Sequence, residues 1–340
     1  MKNVMIGGAA AVLPEFDFLT GNRDYRHIRP VKNGKTARVV CLKDPLCVSA
    51  GFIVNEKRAA ALFRNALMLL TARETAAEAM KSLFPKFNEN LRVSIKINTA
   101  SSTMPSHPCL AYAIADCLVE AGLKPDNIIV WERSEKTLRQ AGYVIRNVPG
   151  KVRTLATNTP GYGYDEGRVE RVRGVPLYLT SIVTKHSDYL ISLGALKQHI
   201  FAGVTLCQKN WYGAIPLADR AMMTGPCDIV RMHLNDCDPG ISELNLLIKE
   251  RVPTILNVCD ALMGMYSRGP LGKPQWIQNE VLLSTDPVAV DTLALYRIEK
   301  KRMEHGKSSL LHKVHYVRTS AEMGLGTNNP ENMEIIEKTA

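Results

Sequence analysis

Lysine and histidine close an apolar run in DYLISLGALKQHIFAGVTLCQKNWYG, residues 188–213, which places Lys197, His199, Lys209 and Asn210 in one segment. Lysine neutralises phosphate or carboxylate, and asparagine orients such groups by hydrogen bonds. Imidazole titrates near neutrality and serves as general acid, general base or metal ligand. A second set, Lys96 and Asn98, ends SIKIN upstream. We therefore read Lys96, Asn98, Lys197, Thr205 and Asn210 as ligand-binding residues, and His199, Lys209 and Asp286 as the catalytic set. Lys209 is either a phosphate-binding ammonium or, with burial lowering its pKa beside Lys197, a covalent amine. His199 and His107 form the candidate metal pair, with His233 third, although no histidines stand at the i, i+4 spacing that puts two ligands on one helix face.

Taken singly, each residue has a plainer explanation: a lone histidine is usually hydrogen-bonded structure and a lysine is usually solvated. Asp286 precedes Pro287 at the start of a helical pattern and explains itself as a cap; Asp291 suits the same helix dipole. The argument for a site rests on the density of polar groups between Lys197 and Asn210.

Elements must bring these residues together. Tyr189–Leu196 reads as a parallel strand buried on both faces, with Gly194 marking close approach by backbone or ligand. Val39–Leu42, Leu91–Asn98, Asn127–Trp131, Pro253–Asp260 and Val281–Thr285 read as further strands, and Val169–Thr180 as a short meander. Asn55–Leu83 carries one long helical pattern, Cys109–Ala121 a second and Cys227–Lys249 a third. Alternation of strand and helix predicts an α/β fold, a mainly parallel sheet with helices on both faces, and leaves room for a smaller C-terminal lobe after about residue 250. We divide the chain into a tail over 1–25, one α/β domain over 30–300 and an extension over 301–340. In such folds ligands sit at the carboxyl ends of the strands, which places Lys96, Asn98, the Ser101–His107 loop, Glu132, Ser134, Lys197 and His199 along one crevice.

The whole chain narrows the function classes. Its 340 residues carry 43 basic against 33 acidic side chains, a net charge of +10 that favours an anionic partner. The basic residues are scattered without interleaved aromatics, so a small anionic ligand ranks above nucleic acid. Eight cysteines contain no C-x-x-C pair, so no iron-sulfur cluster or zinc ribbon is expected. Cys207 alone lies among the polar residues. The run VMIGGAAAVLP near the start is too short to span a membrane, and no other segment approaches a span. It reads either as a frayed tail or as the remnant of an export signal, implying a periplasmic protein if a longer start supplies twin arginines and a cytoplasmic one otherwise.

SIKIN at 94–98, ISLGALKQH at 191–199, GVTLCQKNWYG at 203–213 and STDPVAVD at 284–291 together resemble the domain of unknown function 362 family, over residues 91 to 295. Relatives with ferredoxin-like cysteine runs are described as iron-sulfur proteins; this chain lacks those runs. A fainter likeness is to the lactate racemase family, in which a histidine, a glycine-rich turn and a lysine anchor a nickel-pincer nucleotide. His199 and Lys209 stand in that order. The phosphate loop of those enzymes would fall on Thr99–Pro108, where their acidic and arginine residues are missing. The resemblance implies a cofactor or anionic ligand and names no settled reaction.

Overall fold

The computed structural model describes residues 21–216 and 229–340. The tail over 1–20, with its export-like run, and Cys227 at the start of the third helical pattern lie outside the described residues.

Eight strands form the body of a nine-stranded sheet: β1 (Ala37–Lys43), β2 (Val93–Lys96), β3 (Ile128–Glu132), β4 (Arg153–Ala156), β5 (Tyr189–His199), β6 (Thr254–Met265), β7 (Trp276–Ser284) and β8 (Met333–Thr339). Their spatial order is β8-β1-β7-β6-β5-β2-β3-β4, and the ninth, Gly203–Val204, folds back on β5. Every neighbouring pair in the body is parallel except those made by β7, which runs antiparallel to both β1 and β6. The fold is thus α/β with a mainly parallel sheet. Its central strands are buried almost throughout, as strands covered on both faces must be.

Two apolar clusters lie on the two faces. On one face pack α1 (Glu56–Thr71) and α2 (Pro108–Glu120); on the other pack α4 (Gly240–Arg251) and α5 (Pro287–Glu304), above a one-turn helix α3 (Leu206–Lys209). In α1 the buried side chains Ala59, Leu62, Phe63, Ala66, Leu67 and Leu70 recur at the three- and four-residue spacing of one helix face. The single pattern expected over Asn55–Leu83 is two helices. Ala72 takes a left-handed conformation at φ 52°, and Thr75 then caps a second helix, Ala76–Ser82, by accepting from Glu78 N. The third pattern also breaks: Asp236 has a positive φ, and a continuous helix begins only at Gly240.

The chain beyond residue 250 is built into the sheet. β6 lies beside β5 at its centre, and β8, from the segment set apart as an extension, pairs with β1 over all seven residues. Alternating exposure along β8 hides that role in the sequence, because an edge strand needs only one neighbour. No helix among the described residues is long and apolar enough to cross a membrane.

Candidate functional site

The carboxyl ends of β2, β3 and β5 converge on a cavity of about 170 Å³. From β5 come Lys197 and His199; from beyond β2, Asn98; from β3, Glu132 with Arg133 just after it. The chain turns back after β5 through Gly203, and α3 delivers Lys209 and Asn210 to the same space, with Thr205 at its entry. Eight of the residues singled out from the sequence, Asn98, Glu132, Lys197, His199, Thr205, Lys209, Asn210 and His233, therefore share one cavity. Lys96 lies directly behind it through Glu132.

Close backbone packing makes this convergence possible. A methyl group on Gly194 of β5 would lie 2.5 Å from the Leu206 carbonyl oxygen, so glycine lets α3 rest on the strand. The approach inferred from the sequence is thus made by backbone. On Gly213 a methyl would meet Lys96 Cε at 2.5 Å and Glu132 Oε1 at 2.9 Å. Asp291, reaching from α5, accepts from the amides of Cys207 at 2.8 Å and Gln208 at 3.1 Å and from the Tyr316 hydroxyl at 3.1 Å. It holds the first turn of α3 rather than its own helix. Burial lifts its carboxyl to about 7.

Lys96 is fully buried and donates to Glu132 Oε1 at 2.8 Å, to the Ile97 carbonyl at 2.5 Å and to Asn210 Oδ1 at 3.4 Å. Burial lowers the ammonium, with Glu132 opposing. Burial also pushes the Glu132 carboxyl up, but Lys96 and Arg133 outweigh it and leave a lowered pKa. Asn210 in turn donates to the Lys96 carbonyl at 3.0 Å and accepts from Asn98 at 3.3 Å. Asn98 Oδ1 and Thr205 Oγ1 are buried with no hydrogen-bond partner among the described residues.

The other two lysines differ. Lys197, closed to bulk solvent, donates to the Met104 carbonyl at 3.1 Å. Lys209 lies 3.3 Å from His233 Nε2 and 4.1 Å from the centre of the Tyr212 ring. Among the described residues neither has a carboxylate within ion-pair distance, whereas Lys96 does. Burial lowers Lys197 to about 7, opposed by Glu132 and Asp260 and aided by Lys96 and Lys209, and lowers Lys209 to about 8, opposed by Cys237 and aided by Arg133.

His199 Nδ1 accepts from the Phe201 and Ala202 amides at 3.1 and 3.2 Å. The neutral ring therefore carries its proton on Nε2. Burial, then the charges of Lys209, His233 and Lys197, holds its pKa far below the ordinary value. His233 stacks on it with ring centres 5.6 Å apart. Asp286, grouped with His199 in the catalytic set, is elsewhere: it caps α5, accepting from the Val288 and Ala289 amides, and also accepts from the Thr327 amide. It lines no part of the cavity. The second metal ligand is displaced as well, since His107 Nδ1 lies 2.7 Å from Asp260 Oδ2, outside the cavity lining; burial lowers its pKa, but the charge and hydrogen bond of Asp260 together outweigh burial and raise it. Metal ligation by the pair His199 and His107 does not fit: the two do not share the cavity, and a neutral His199 ring offers its acceptor nitrogen to its own turn. Cys207 is a core residue whose thiol burial raises well above its usual range.

Sequence reasoning missed Arg133 and Tyr212 as lining residues. Arg133 was signalled only by its place just beyond the carboxyl end of β3, the same position that drew attention to Glu132.

The fold is an open α/β sheet whose polar cavity lies at the carboxyl ends of parallel strands. The chain belongs to the family described as a domain of unknown function (DUF362), which matches residues 93–296, well over half of its length and the whole span from β2 into α5. No curated protein matches it. A crystal structure of a Thermotoga maritima protein, a structural genomics target, is similar at 12% identity with a TM-score of 0.35, covering 73% of this chain and 59% of that one. The chain thus spans less than two thirds of that protein's length.

Proposed function

We propose that the cavity binds a small anion, a phosphate- or carboxylate-bearing ligand or cofactor, and stabilises negative charge on it. The observation that carries this reading is the enclosure of Lys197 and Lys209 beside one another without a carboxylate partner among the described residues. An unpaired buried ammonium is costly, and an incoming anion relieves that cost. The Nε2–H of His199 and the buried Thr205 hydroxyl supply hydrogen bonds. His199 acts as a neutral donor to an oxyanion, since its acceptor nitrogen is occupied; the general-base role expected from its residue type is not supported by this geometry. Enclosure also favours a small ligand over nucleic acid, whose phosphates need charge on an open face. Among the described residues no carboxylate hydrogen-bonds His199, which favours, as a second reading, a module that holds its ligand without turning it over.

Thermal unfolding with phosphate or L-lactate, against chloride at matched ionic strength, tests the reading. A ligand at about 100 times its Kd stabilises by about 2.7 kcal/mol. We expect protection by at least one anion, lost in Lys209→Met and weakening as pH rises past about 8, where Lys209 sheds its proton. No protection, or protection unchanged in Lys209→Met, overturns the assignment.

A further inference from the structure

We propose that Lys197 is an imine-forming nucleophile and that the cavity's anionic substrates are small 2-oxo acids. This rests on the anion-binding reading and adds covalent chemistry to it. Lys197 and His199 stand two apart on β5 and so project from the same face of the strand, into the same cavity. Lys209 arrives from the other side on α3. The three groups offer what a 2-oxo acid needs: an ammonium for the carboxylate, an N–H donor for the carbonyl oxygen and an amine for the carbonyl carbon.

The two lysines divide the work because their surroundings differ. Lys209 lies against the electron-rich face of Tyr212, which favours its charged form. Lys197 has the Met104 carbonyl as its hydrogen-bond partner, and the nearby charge of Lys209 disfavours a second ammonium. With Lys197 lowered to about 7, its free-amine fraction at neutral pH is roughly a thousandfold that of an ordinary lysine. The Nζ lone pair adds to the carbonyl carbon, and one N–H proton passes to the former carbonyl oxygen. That hydroxyl then leaves as water with the second N–H proton as the C=N bond closes. No oxidant or reductant is consumed.

The test is reductive trapping of the full chain with pyruvate and sodium cyanoborohydride, followed by intact mass and peptide mapping. The expected product is one adduct per chain, at the mass of pyruvic acid less one oxygen, on the peptide carrying Lys197. Its rate should rise with pH through about 7, and Lys197→Met should lose it while Lys151→Met, at an exposed lysine outside the cavity, keeps it. If Lys197→Met fails to fold, the wild-type peptide map still decides. Adduct spread over exposed lysines, or none, overturns the proposal. L-lactate, which has the carboxylate but no carbonyl, separates the two levels: protection by lactate without a pyruvate adduct at Lys197 overturns the imine and leaves the anion pocket standing.

Discussion

Glu132→Gln tests whether the buried ion pair behind the cavity is structural. The Lys96 side chain has 0% exposure and Glu132 7%, with 2.8 Å between Nζ and Oε1. Glutamine keeps the shape and one acceptor but removes the charge, leaving an ammonium among neutral oxygens. Removing one partner of a buried pair costs about 3–5 kcal/mol, a large share of the roughly 5–15 kcal/mol that keeps a domain folded. The variant should also strengthen a pH signature that the buried Lys96 already carries. Once Glu132 no longer opposes burial, the folded Lys96 amine titrates still further below its unfolded value. The unfolded chain then binds more protons between the two, so stability climbs with pH up to about 10.4, the ordinary lysine value. Urea unfolding at about pH 7 and about pH 9 measures both effects, provided the m-value is unchanged. Adding Lys96→Met should recover most of the loss, because two neutral side chains replace the pair. A Gln variant within about 1 kcal/mol of wild type, or a double variant no more stable than the single, refutes the reasoning.

Three further outcomes follow from the same geometry. Nitrogen-15 NMR should show His199 as the Nε2–H tautomer with no titration between about pH 5 and 8; a ring titrating in that window contradicts the paired amide bonds to Nδ1. Gly194→Ala should cost about 1–3 kcal/mol or more and abolish anion protection, because its methyl would displace α3 and with it Lys209; retained protection would show that α3 does not set the site. Asp286 and Asp291, raised by burial to about 6 and about 7, bind protons in the folded chain that the unfolded chain has released. Stability should therefore fall as pH rises from about 4 to about 7, and Asp291→Asn should flatten that slope in urea unfolding; an unchanged slope rejects the burial account of Asp291.

Much of the architecture was legible along the chain because parallel strands buried on both faces must be apolar throughout. Tyr189–Leu196 and Pro253–Asp260 announce themselves in this way, and the Asp286-Pro287 cap is read from local chemistry alone. Where local signals compete, the reading failed. The break at Ala72 interrupts an alanine-rich pattern that favours helix on both sides, and only the turn into Thr75 separates the two. β8 escaped notice because its alternating, charged sequence suits an edge strand and a solvated tail equally.

The sequence by itself determined that Lys197, His199, Lys209 and Asn210 would be neighbours, since a strand end, a tight turn and one helical turn leave them little room to separate. It also placed them at the carboxyl end of a parallel strand. Tertiary structure alone decided their chemistry. Which amine meets a carboxylate, Lys96 through Glu132, depends on two strands lying side by side, and which nitrogen of His199 carries a proton depends on how its turn closes. The same holds for the partners assigned to His199 in advance: Asp286 and His107 are held by Thr327 and Asp260, contacts between segments far apart in the chain. Charge in a low-dielectric interior is set by neighbours in space, and spacing along the chain does not record them.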